Sequence, residues 1–159
     1  MTEEQTRIAE LIRDAFRGVE LGDGVGLTEA DGLDDYADAK TLAGYRSNDE
    51  KFDWSKISAT ELNRYYCSLS FFDAEGMRFH LPAYLIADLE GTFEQDVVFH
   101  LTYFEHDAIS RFSLLSDLQR TAVREFLLIR LSDPNCEFER PMIETALSKY
   151  WTTTEDTAI

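Results

Sequence analysis

A mostly helical α+β domain is predicted for this 159-residue chain by three observations. Ser/Thr-x-x-Glu/Gln pairs stand in front of apolar runs of period 3.6, which is how helices start. Apolar residues alternate with polar ones on either side of Asp73-Ala74-Glu75-Gly76, the pattern of a small antiparallel β-hairpin near residues 69–81. Only 3 Pro and 8 Gly interrupt the chain, and 44% of it is hydrophobic, so a substantial core can form. About six or seven helices around that hairpin are expected. Residues 1–151 are expected to make a single globular domain, and 152–159 a frayed tail.

The elements follow in order. Ile8, Leu11, Ile12, Ala15 and Phe16 form one helical stripe, boxed in front by Thr2 and Gln5 and stopped by Gly18, so a helix is predicted over 3–17. The glycine-rich stretch 18–27 reads as a turning loop pinned by Val19, Leu21, Val25 and Leu27. Thr28 can cap a second helix over 29–46 with Ala30, Leu33, Tyr36, Ala37, Leu42 and Tyr45 facing inward. Ser58 and Glu61 box a helix through Cys67. The hairpin comes next, closed by Pro82, and a short helix follows over 83–90. Thr92–Gln95 is a start signal, but 93–104 has no clean period; helix is chosen over strand there. Ser116 and Gln119 box a helix that ends at Ser132-Asp133-Pro134, and Pro141 opens a last one carrying Ile143, Ala146, Leu147, Tyr150 and Trp151.

Leu69-Ser-Phe-Phe-Asp-Ala-Glu-Gly-Met-Arg-Phe-His-Leu-Pro-Ala-Tyr84 is the most distinctive stretch, joined by Asp53-Trp54, Phe112-Ser-Leu-Leu-Ser-Asp-Leu-Gln119, Ala122-Val123, Phe126-Leu127 and Tyr150-Trp151. On these residues the chain, from about 8 to 151, resembles a bacterial family of uncharacterised small acidic domains. The resemblance implies no catalytic assignment.

Charge excludes more than it assigns. Thirty-one acidic against fifteen basic residues give a net charge of −16. That balance argues against a nucleic-acid binder and against docking on anionic membranes, while leaving a basic protein partner open. The N-terminus Met1-Thr2-Glu3-Glu4-Gln5 lacks the features of a secretory signal, and no run approaches the roughly 18 apolar residues of a membrane span, so a cytoplasmic protein is expected. Cys67 and Cys136 read as ordinary thiols. Gly22-Asp-Gly-Val-Gly26 has the wrong last spacing for a dinucleotide loop and follows a helix, and the carboxylates of 31–38 do not follow a calcium-loop order. No nucleophile-elbow, zincin or phosphate-loop motif occurs. His100 and His106, six apart, fall on different helix faces. No metal or cofactor is therefore expected.

Two functional readings remain. The leading one is a non-enzymatic protein-binding domain, an immunity-type inhibitor that covers a toxin or effector, with Glu29, Asp31, Asp34, Asp35 and Asp38 as an acidic docking face. A solvated helix face kept for solubility is the plain alternative for those carboxylates. The second reading is a small-ligand protein or enzyme with Asp73, Glu75, Arg78 and His80 gathered at the hairpin for acid/base work. Against it, the same residues can simply cap and pair across a turn. The sequence leaves the oligomeric state and the identity of any partner open.

Overall fold

The computed structural model describes residues 1–104 and 108–152, so His106 and the tail 153–159 lie outside it. Eight α-helices and four short 3₁₀ turns account for the regular structure among the described residues, with no strand. They are α1 (Glu3–Ala15), α2 (Leu27–Asp34), α3 (Ala39–Asn48), α4 (Ala59–Arg64), α5 (Ala74–Leu89), α6 (Val97–Thr102), α7 (Asp117–Leu131) and α8 (Arg140–Lys149).

The capping chemistry of the sequence sets most of the starts. Capping boxes form at Thr2/Gln5, Ser58/Glu61 and Ser116/Gln119, each satisfying two amides that a helix N-terminus leaves unpaired. Asp96 caps α6, so the helix choice for the ambiguous segment agrees with Val97–Thr102.

The predicted hairpin is overturned, and the fold is all-α rather than α+β among the described residues. Residues 74–89 are one helix, and the supposed turn is its N-terminus: Asp73 Oδ1 accepts from the Gly76 amide at 2.8 Å. Aspartate at an N-cap and aspartate in a turn satisfy the same kind of backbone donor, so the short signal serves either structure. The alternation misled because α5 is surrounded. Twelve of its residues are buried, including His80, Pro82 and Ala83, so the stretch has no solvated face to reveal a period of 3.6. Pro82 sits inside the helix and cannot donate to the Arg78 carbonyl; such a loss costs about 3 kcal/mol and is offset here by burial.

Around α5 pack α1, α4, α6 and the 3₁₀ turns 54–56 and 108–112, with α7 packed on α1 and reaching α5 through Arg130, and α8 bridging α6 and α7. Phe16, Phe79, Tyr84, Phe112, Phe126 and Trp151 fill the centre. Trp54 and Trp151 are anchored by indole N–H bonds to the carbonyls of Phe16 (2.9 Å) and Leu101 (2.8 Å). At one point backbones come close enough to demand glycine: a Cβ on Gly24 would meet the Gly76 amide at 2.8 Å, and one on Gly76 would meet the Val25 carbonyl at 2.7 Å. This contact seats the 18–26 loop on the first turn of α5.

The single helix predicted over 29–46 is in fact the pair α2 and α3. Its expected inner stripe is only partly inner: Ala30 is buried, whereas Leu33, Tyr36 and Tyr45 are exposed. The break comes from Asp38, whose Oδ1 accepts from the Thr41 amide at 2.8 Å and so starts a new helix.

Candidate functional site

The α2–α3 arm is built differently from the core. No residue of α3 is buried; α2 seats Leu27 and Ala30 in the core against the 3₁₀ turn 66–70, and polar contacts brace the base of the arm. Asp49, just beyond α3, caps the start of α2: Oδ1 accepts from the Thr28 amide (3.0 Å) and hydroxyl (2.7 Å), and Oδ2 from the Glu29 amide (3.2 Å). Arg46 donates to the carbonyls of Gly24 (3.1 Å) and Gly22 (2.5 Å) and lies 3.8 Å from Glu29. Glu29 in turn accepts from the Gly26 amide at 2.9 Å.

At the other end of the arm the chain turns through a Schellman motif. The Tyr36 amide donates to Leu33 O (3.2 Å) and the Ala37 amide to Gly32 O (2.9 Å), which requires a left-handed residue between them. That residue is Tyr36, at φ 56°, and its side chain is 95% exposed. It is the one non-glycine residue with positive φ among those described. A left-handed side chain costs about 1 kcal/mol, and a ring in water returns nothing by burial.

The predicted acidic residues divide around this turn. Asp34 and Asp35 are exposed beside Tyr36. Asp38 is exposed too, its carboxyl lowered by the hydrogen bond from the Thr41 amide. Asp31 is half-buried; burial, then the charges of Asp35 and Asp34, push its carboxyl above the usual range. Glu29 alone leaves the group, turned toward Gly26 and Arg46 at the base. On the neighbouring 3₁₀ turn the Tyr66 hydroxyl is raised, chiefly by its interaction with Cys67, then by desolvation, and least by the charge of Asp34.

The second predicted group is distributed along α5. Asp73 Oδ1 is committed to the Gly76 amide and to the Val25 amide at 3.0 Å. His80 is wholly buried, stacked on Phe72 with ring centres 4.2 Å apart, its Nδ1 2.7 Å from Gly76 O. Burial holds its imidazole down at about 4, against the hydrogen bond to Gly76 O and the charge of Asp73. Arg78 is half-buried with Nε unbonded, and no ion pair joins it to Glu75 among the described residues. His80 is thus enclosed while Asp73 is exposed and tied to backbone amides, so the two do not form an open acid/base pair. Three cavities elsewhere, of about 500, 390 and 250 Å³, have none of the four residues in their walls.

Sequence reasoning missed Tyr36 as an exposed feature, although Asp38 followed three residues later by Thr41 is a readable start signal for a second helix. It also missed Lys56 and Arg64, which share the wall of the 500 Å³ cavity between the base of the arm and α4.

The signature of a family of unknown function, DUF6714, matches residues 4–155. The chain belongs to that family. No curated protein and no solved structure matches it. The DUF6714 match spans the arm, α5 and the cavity alike, and carries no activity to any of them. Among the described residues no helix is long and apolar enough to cross a membrane, and no three His, Cys, Asp or Glu residues converge as a metal site.

Proposed function

We propose that the protein is a binding module whose α2–α3 turn docks on a basic partner protein. The observation that carries this reading is Tyr36: an aromatic ring fully in water, on a backbone position that glycine would fill without strain, ringed by Asp34, Asp35 and Asp38. Tyrosine anchors surrounded by charge are how many interfaces combine a packed centre with electrostatic steering. The acidic residues expected for docking enter the proposal as Asp31, Asp34, Asp35 and Asp38, with Glu29 as a support of the arm. Nothing in the fold or the family match bears on an immunity-type or toxin-neutralising role, so the proposal stops at the chemistry of the partner.

Capture from the lysate of the native host tests it, comparing the wild-type chain with the triple variant Asp34→Asn, Asp35→Asn, Tyr36→Ala. A basic protein retained at low salt, released at high salt and lost with the variant is the expected result. Retention that ignores both salt and the three substitutions would overturn it.

A further inference from the structure

The cavity of about 500 Å³ lies between the start of α2, the 48–52 link and α4, and its charges are unevenly committed. Its carboxylates are all engaged with their own walls. Asp49 is held by Thr28 and Glu29; Glu50 Oε2 accepts from the amides of Phe52 (3.0 Å), Lys51 (3.2 Å) and Asp53 (3.3 Å); Glu61 Oε2 accepts from the Ser58 amide at 3.0 Å. Lys51 Nζ is engaged as well, donating to Asp49 O at 2.9 Å. The side chains of Lys56 and Arg64 are left: both are exposed, and neither makes a hydrogen bond or close ion pair among the described residues, their charges reaching Glu50 and Asp53 (from Lys56) and Asp31 (from Arg64) only at longer range. Arg64 lies 5.5 Å over the ring of Tyr65, in the same wall.

Most of the other arginines of this acidic chain are committed. Arg7, Arg13, Arg17, Arg46, Arg130 and Arg140 each reach a carboxylate or carbonyl oxygen. Two open cations facing a ligand-sized cavity, with Ile57 and the 71%-exposed Phe52 beside them, form a complementary set. We infer that this cavity binds a small anion, a carboxylate or phosphate headgroup held by Lys56 and Arg64 with its apolar body against Phe52, Ile57 and Tyr65. Guanidinium and ammonium together suit either headgroup. The net charge of −16 limits the ligand to one or two negative charges, since a polyanion would be repelled by the surrounding surface.

Amide shifts in ¹⁵N NMR spectra test the site, with inorganic phosphate, acetate and benzoate titrated separately into the full chain and into the Lys56→Ala/Arg64→Ala variant. Both side chains are exposed, so an unchanged melting temperature checks that the variant is folded. Saturable shifts at Thr28, Thr60 and Tyr65 with a Kd of about 1 mM or tighter, weakened at least about tenfold in the variant, are expected. Saturation by phosphate alone identifies a phosphate headgroup. Saturation by benzoate more tightly than acetate identifies a carboxylate on an aromatic body. Shifts that stay linear with every probe, or that are the same in both proteins, overturn the inference. The arm-docking proposal stands apart from this result, because Asp34, Asp35 and Tyr36 do not line the cavity.

Discussion

α5 and α2 end in the same backbone motif and differ in what occupies it. After α5 the Gly91 amide donates to Asp88 O (3.1 Å) and the Thr92 amide to Ala87 O (2.9 Å), with Gly91 at φ 75°. After α2 the same two bonds form around Tyr36. Around the end of α5 there is further investment: Arg130 donates to Asp88 Oδ2 at 2.5 Å and to Asp88 O at 3.0 Å. The α2 end has acids on an exposed turn instead. One helix is finished for stability, the other carries a feature that stability does not explain. That contrast directs the search for function to the arm.

The largest test of the contrast lies in the core. Phe79→Ala empties a fully buried site on α5 and is expected to cost about 3–5 kcal/mol by chemical denaturation. Lys40→Ala on α3, at an exposed position in a helix with no buried residue, is expected to change stability by less than about 0.5 kcal/mol. Comparable losses from the two would mean that the arm is as integral to the fold as α5.

The next is a pH effect, to which His80 on α5 contributes alongside His100 on α6, whose imidazole burial also holds down at about 4. With its imidazole held at about 4 in the fold against an ordinary 6.5, His80 stays neutral where the unfolded chain takes up a proton. The unfolded state therefore binds more protons between those values, and stability falls as pH is lowered through them. By pH 4 the loss is about 3 kcal/mol, and above pH 6.5 it vanishes. Other groups titrate in the same range, so the measurement is the difference in denaturation midpoint between wild type and His80→Phe. That difference should shift in favour of the variant as pH falls from 6.5 to 4; a difference independent of pH would show that His80 is not enclosed as described.

How much of this was legible beforehand follows from the range of the signals involved. Caps at Thr2, Ser58 and Ser116 were readable because the interaction that makes them spans three residues. α5 was not, because its Asp73 signal is shared by turns and helix starts, and the discriminating fact, burial on every side, belongs to α1, α4 and α6 packing around it. The acidic residues were found as a set on the outer face of the helix predicted over 29–46, yet Glu29 left that set through contacts with Arg46 and Gly26 that no periodicity encodes. Lys56 and Arg64 carried no signal of their own. They stand out only because the carboxylates around them are bonded to backbone amides, which requires the fold.

The base of the arm gives a smaller effect. Asp49→Ala removes acceptors for the Thr28 and Glu29 amides and should cost about 1–2 kcal/mol, as the loss of a good N-terminal cap does. Hydrogen exchange should then quicken in α2 and α3 while α5 and α7 keep their protection. Uniform acceleration across all four helices would instead tie the arm to the global unfolding step.

The smallest effect is the most informative, because its sign is opposite. Tyr36→Gly removes the left-handed strain and a ring that buries nothing, so stability is expected to rise by about 0.5–1 kcal/mol, after allowance for the greater freedom of glycine in the unfolded chain. The same substitution should abolish capture of the basic partner at low salt. A variant more stable than wild type yet unable to bind would separate the two demands on this position, since a residue kept for the fold cannot be improved upon by the amino acid that already ends α5. If Tyr36→Gly lowers stability, the ring contributes to the folded state, and the anchor reading loses the observation on which it rests.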